Sequence, residues 1–143
     1  MAPVQSRALL SCTAMLAMLG TALPLGHNSN PYSDPHVLCN YRIFTSLPKI
    51  PQTFIVAKTS EAYRSGDFGP ILGYQTTFTM GSHLLLRVKP VERFFLRALR
   101  KRGWSLKPLR VRDLLLFTKH RSTVLVNTQA LPENFTITID CHL

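Results

Sequence analysis

Ten of the seventeen lysines and arginines fall within residues 87–112: Arg87, Lys89, Arg93, Arg97, Arg100, Lys101, Arg102, Lys107, Arg110 and Arg112. The only acid among them is Glu92. A density of positive charge this high attracts polyanions: sulfated glycan, anionic lipid or nucleic acid. Arg93, Arg97, Arg100 and Lys101 recur at helical spacing, opposite a Val91/Phe94/Phe95 face. Arg102 and Lys107 follow directly, with Trp104 between them. These six cations, Arg93, Arg97, Arg100, Lys101, Arg102 and Lys107, form the candidate polyanion-binding set. Lys101-Arg102 also reads as a dibasic processing site, and cutting there would divide the core.

A second chemistry is available to the cysteines. There are three, Cys12, Cys39 and Cys141. Removal of a leader that contains Cys12 leaves an even count, which suits an oxidising compartment. Cys39 and Cys141 then have one candidate partner each. Closing a loop of about 100 residues stabilises a fold by up to about 4.7 kcal/mol in the chain-entropy model. The alternative is two buried free thiols. Asn134-Phe135-Thr136 is the only N-x-S/T sequon, a short motif whose weight comes from the same compartment reading.

No catalytic constellation appears. The chain lacks a Gly-rich phosphate loop, G-x-S-x-G, H-E-x-x-H and C-x-x-C. The five histidines have no ligand spacing, so neither zinc nor any other cofactor is expected. A basic ribonuclease would need an acid–base pair such as His120 with His36 or His83. Nothing in the spacing forces one, so the chain is read as non-enzymatic.

The leader decides the compartment. Residues 1–7 carry one basic residue, Arg7, 8–20 are mostly apolar, and Gly20-Thr21-Ala22 offers small residues for signal-peptidase cleavage after Ala22. The pattern predicts a signal peptide over 1–22 and a secreted product. Retention of 8–25 as a membrane anchor is a second reading, although Gly20, Pro24 and several polar residues weaken that span. A third is an intracellular or mitochondrial nucleic-acid-associated protein. A presequence would want several arginines here, and only Arg7 is present. The chain matches no aromatic-basic motif of the common nucleic-acid folds.

Elements must position these groups. Residues 23–35 are rich in Asn, Ser and Pro and read as a loose segment before a single domain, 36–143. Alternation and β-branched or aromatic content predict strands over 36–44, 53–59, 71–80, 83–89, 109–117, 122–128 and the terminal ENFTITIDCH. Gly81-Ser82 is read as the two-residue turn of a hairpin joining 71–80 to 83–89. The period changes to that of a helix over 90–102, with Pro90 at its start and Gly103 just past its end. In the last strand Phe135, Ile137, Ile139 and Cys141 share one face, and Thr136, Thr138, Asp140 and His142 the other. The expected class is α+β: about seven mainly antiparallel strands with one basic amphipathic helix. Composition and motifs together predict a small secreted binding protein. Its partner would be a protein receptor or an anionic glycan or lipid surface, met through the basic helix.

Overall fold

A computed structural model of the chain describes residues 33–143. The leader 1–22, the 8–25 anchor alternative, Cys12 and residues 23–32 lie outside the described residues. The element order is α1 (Pro35–Ser46), β1 (Thr53–Arg64), β2 (Ile71–Ser82), α2 (Val88–Lys101), β3 (Ser105–Lys107), β4 (Leu114–Lys119), β5 (Ser122–Asn127) and β6 (Phe135–Cys141). The six strands form one antiparallel sheet in the order β1-β2-β6-β5-β4-β3. The class is therefore α+β and mainly antiparallel, with six strands rather than seven and two helices rather than one among the described residues.

One sheet face carries the core. Register places Phe78 beside Ile137, Met80 beside Phe135, Val124 beside Ile139, and Phe117 beside Val124. These side chains form one cluster with Phe44 and Leu47 at the end of α1 and with Val91, Phe95 and Leu99 of α2. Phe44 stacks on Phe78 with ring centroids 3.7 Å apart, and Phe95 meets Phe135 edge-on at 6.0 Å. The opposite face is rich in threonine. Thr77 and Thr138 pair across β2 and β6, with their hydroxyls 2.9 Å apart.

The segment 36–44 is helical and not a strand. Asp34 is the N-cap, its carboxylate accepting from the His36 N–H at 2.8 Å, and Pro35 occupies the first turn. The inward positions are Val37, Asn40 and Phe44, at i, i+3 and i+7. A polar residue at the middle of that stripe hides the helical period and leaves only the accidental alternation of Val37, Cys39, Tyr41 and Ile43. Cys39 therefore reaches Cys141 from a helix laid over β6 and not from a neighbouring strand. Their Cα atoms are 5.9 Å apart, within disulfide distance.

The hairpin expected around Gly81-Ser82 does not form. β2 already has β1 on one edge and β6 on the other, so a return strand over 83–89 has no edge to pair with. The chain leaves the sheet instead, with the Leu84 N–H donating to the Ser82 hydroxyl at 3.0 Å, and enters α2 at Val88. The long hairpin is β1–β2, closed by 65–70. The strand expected over 109–117 begins only at Leu114, after a link that contains Asp113 at φ 63°.

Asn40 is fully buried and joins three elements. The β2–β6 ladder ends at Gln75 and Asp140. At the next position the Asn40 amide N–H groups donate to the Tyr74 carbonyl at 2.8 Å and to the Thr76 hydroxyl at 3.1 Å. Its carbonyl accepts from the Cys141 N–H at 2.7 Å. Removing the amide strands those backbone groups away from water, at a cost of about 3 kcal/mol. Asn40→Ala is expected to lower the urea midpoint accordingly. Wild-type stability in that variant would show the amide to be dispensable.

Candidate functional site

Helix α2 begins from its buried face. Val91, Phe95 and Leu99 are almost wholly enclosed and fix the helix roll. Arg93, Arg97, Arg100 and Lys101 then lie exposed on the far side. At 1.5 Å rise per residue, the row from Arg93 to Lys101 runs about 12 Å. Arg93, Arg97 and Lys101 border an open groove of ≈ 590 Å³ whose other walls are Pro90, Phe94 and Ala98. Among the described residues none of the four ridge cations has an ion-pair partner. Glu92, the one acid of the helix, is turned toward the Thr128 hydroxyl at 3.5 Å.

The end of the helix is sharply built. Gly103 takes φ 84°, the Trp104 N–H donates to the Leu99 carbonyl at 3.1 Å, and the Gly103 N–H donates to the Arg100 carbonyl at 3.0 Å. This is a Schellman motif with its apolar contact between Trp104 and Leu99 in the core. Arg100 and Lys101 sit in the last turn, where the helix dipole is negative.

Two of the six expected cations stand apart from the ridge. Arg102 donates a hydrogen bond to the Ser46 carbonyl, closing the C-terminal end of α1, and its own carbonyl accepts from Lys119 Nζ at 2.8 Å. Lys107 lies on β3 and alternates with Leu106, which packs against the core, so Lys107 faces the opposite side of the sheet. Trp104 is 9% exposed and belongs to the core, out of reach of a ligand on the ridge. Asn134 immediately precedes β6 and is half-buried, its N–H donating to the Ala130 carbonyl at 3.4 Å.

The histidines considered as an acid–base pair sit on separate parts of the fold. His36 meets the Asp34 carboxylate at 3.0 Å in the cap of α1. His83 rests on Phe54 with centroids 4.8 Å apart, and His120 occupies the β4–β5 turn at φ 54°. Among the described residues no cluster of His, Cys, Asp and Glu could hold a metal.

One polar cluster went unread in the sequence. Tyr63 Oη donates to Asp140 Oδ1 at 3.2 Å and lies 3.2 Å from His142 Nδ1, while His142 Nε2 lies 3.3 Å from Asp140 Oδ2. Tyr63 belongs to β1 and Asp140 to β6, with β2 between them. The ring crosses that strand at Gly73, its register partner, because a Cβ there would collide with the phenol oxygen. Alternation puts Asp140 and His142 on one face. The missing signal was the glycine opposite an aromatic one strand away. Both imidazole nitrogens are engaged within the cluster, so it clasps the C-terminal strand to the β1 edge.

No protein-family model, curated protein or solved structure compared with this chain matches it.

Burial, followed by the Asp140 charge and hydrogen bond, raises the Tyr63 phenol above its ordinary 10.0. The neutral phenol is favoured in the folded state. Its stabilisation is therefore whole below pH 10.0 and is lost as pH rises through the higher folded value. Stability measured against pH should show a steeper alkaline decline for wild type than for Tyr63→Phe. Identical alkaline limbs would rule this coupling out.

Proposed function

We propose that this is a small secreted, non-enzymatic binding protein that docks on an anionic surface through the exposed ridge of α2. The observation that carries the reading is the division of that helix. Its apolar face is enclosed in the core, and the remainder is a row of cations without acidic partners among the described residues. Such a row attracts polyanions over a Debye length, about 8 Å at physiological salt. The ridge comprises Arg93, Arg97, Arg100 and Lys101. Arg102 and Lys107 are left out because one ties α2 to α1 and the other faces away.

Secretion is supported by the signal-like 1–22 segment, the Asn134 sequon and the approach of Cys39 to Cys141. In an oxidising compartment that pair would close as a disulfide. Intact mass of protein recovered from the medium of expressing cells is expected to show a start at Leu23, a loss of two hydrogens and a glycan on Asn134. Retained Met1 with free thiols would overturn secretion and favour the anchored or intracellular readings.

The ridge is tested on immobilised heparin and on immobilised duplex DNA. Arg97→Gln/Arg100→Gln/Lys101→Gln should elute from heparin at lower salt, with the log–log salt slope reduced by about three, one per removed cation. Its melting temperature should fall only slightly, since the three side chains are exposed and the loss of Arg100 and Lys101 from the negative helix end costs about 0.3–1 kcal/mol each. Unchanged elution from heparin would reduce the ridge to a solvated face. Stronger retention on DNA than on heparin would favour the nucleic-acid reading.

A further inference from the structure

Exposed aliphatic side chains occur on α1, β1 and β2, and four more lie on two links between elements. Leu84 and Leu85, on the link from β2 to α2, are 53% and 74% exposed. Leu109 and Val111, on the link from β3 to β4, are 41% and 54% exposed. Both links leave the sheet at the same end. β2 reaches that end at Ser82, two residues past the Met80–Phe135 pair. β4 begins there at Leu114 opposite Asn127, which in turn faces Thr136 across β6.

The β5–β6 connection ties the two links together. The Thr128 N–H donates to the Asp113 carbonyl at 2.9 Å, and Gln129 Nε2 donates to the Arg112 carbonyl at 3.4 Å. On the other side Leu131 and Pro132 border a shallow recess of ≈ 320 Å³ with Leu85, Leu86, Arg87 and Val88.

Cations interleave with the aliphatic tips. Arg87 ends the first link and Lys89 follows in the first turn of α2, while Arg110 and Arg112 stand within the second, all exposed. The acids nearby are Glu92, engaged with Thr128, together with half-buried Asp113 and exposed Glu133. Aliphatic tips ringed by positive charge complement a surface that offers an apolar phase beneath a negative layer. A sulfated glycan supplies only the second, and an anionic bilayer supplies both.

We infer that this end of the sheet is a bilayer-docking face. Leu84, Leu85, Leu109 and Val111 enter the boundary between headgroups and acyl chains, and Arg87, Lys89, Arg110 and Arg112 pair with anionic headgroups. The inference rests on the anionic-surface reading above and names that surface as lipid.

The test is co-sedimentation of the full mature chain with phosphatidylcholine vesicles, with and without phosphatidylserine. Wild type should partition onto phosphatidylserine vesicles and leave pure phosphatidylcholine vesicles in the cold. Leu84→Ser/Leu85→Ser should lower that partition about tenfold. It should leave heparin elution unchanged and lower the melting temperature only slightly, because Leu85 is mostly and Leu84 about half exposed. Arg110→Gln/Arg112→Gln should weaken vesicle binding without altering the melt. Equal sedimentation of wild type and the leucine variant, binding indifferent to phosphatidylserine, or no binding to either vesicle would overturn the docking face. Those failures are distinct from failure of the ridge, which is read on heparin with the α2 variant. A ridge that acts on heparin beside a silent loop end would mark the anionic surface as glycan.

Discussion

The fold turns on a single amide. Between β2 and β6 the regular ladder stops at Gln75 and Asp140, and the Asn40 side chain of α1 takes over one residue further on. Two central strands and a helix are thereby fixed by one group whose donors and acceptor are all used. An apolar side chain of similar size would pack there, but it would leave the Tyr74 carbonyl and the Cys141 N–H buried without partners. A hydrogen-bonded polar group inside the core also fixes where α1 lies along the sheet, which apolar contact alone specifies weakly. Cys39 immediately precedes Asn40 on the helix, so the same contact brings it to 5.9 Å from Cys141, Cα to Cα. The adjacency of β2 and β6 at the middle of the sheet agrees with this, since β6 must lie beside β2 for the amide to bridge them.

Helix α2 depends on a different constraint. Three enclosed residues at i, i+4 and i+8 set its roll, and the Gly103 cap sets its end. Once both are fixed, the cations between them have no freedom to face inward. The ridge is therefore a consequence of the packing, and the core and the charged surface are read from alternate positions of one segment. Arg102 shows where that logic ends. One residue past the helix it no longer follows the helical repeat, and its guanidinium is drawn to the open carbonyl at the end of α1.

The elements legible in the sequence are those in which a single period runs without interruption. β5, β6 and α2 declare themselves because nearly every inward position is apolar and nearly every outward one is not, whereas β1 is read from its β-branched and aromatic content over 53–59 and runs on to Arg64. α1 was illegible because its central inward position is Asn40, and its clearest local signal, Asp34-Pro35 as N-cap and first turn, lay in a segment whose Asn, Ser and Pro content reads as loop. The segment 83–89 misled for the opposite reason. Leu84, Leu86 and Val88 alternate well, but whether a strand forms depends on a free edge, and the edge had gone to β6 from more than fifty residues away in the sequence. The site was legible to the same degree. Arg93, Arg97, Arg100 and Lys101 follow from the helical repeat alone, whereas the fates of Arg102 and Lys107 depend on contacts with α1 and on the face of β3. The Tyr63–Asp140–His142 cluster spans three strands and has no local signature.

The ridge and the aliphatic end meet at the start of α2, where Lys89 and Arg93 follow the link that carries Leu84 and Leu85. Their ranges differ. Charge acts across several ångströms of salt solution, while aliphatic side chains gain nothing until they leave water. On the docking reading, the cations would gather the domain onto a negative surface and the leucines would hold it there. Asn134 adds a constraint, since it precedes β6 at the same end of the sheet as both links. A glycan on that side chain would stand beside the docking face and would have to lie away from the bilayer. It would thus limit the tilts at which Leu84, Leu85, Leu109 and Val111 could enter together.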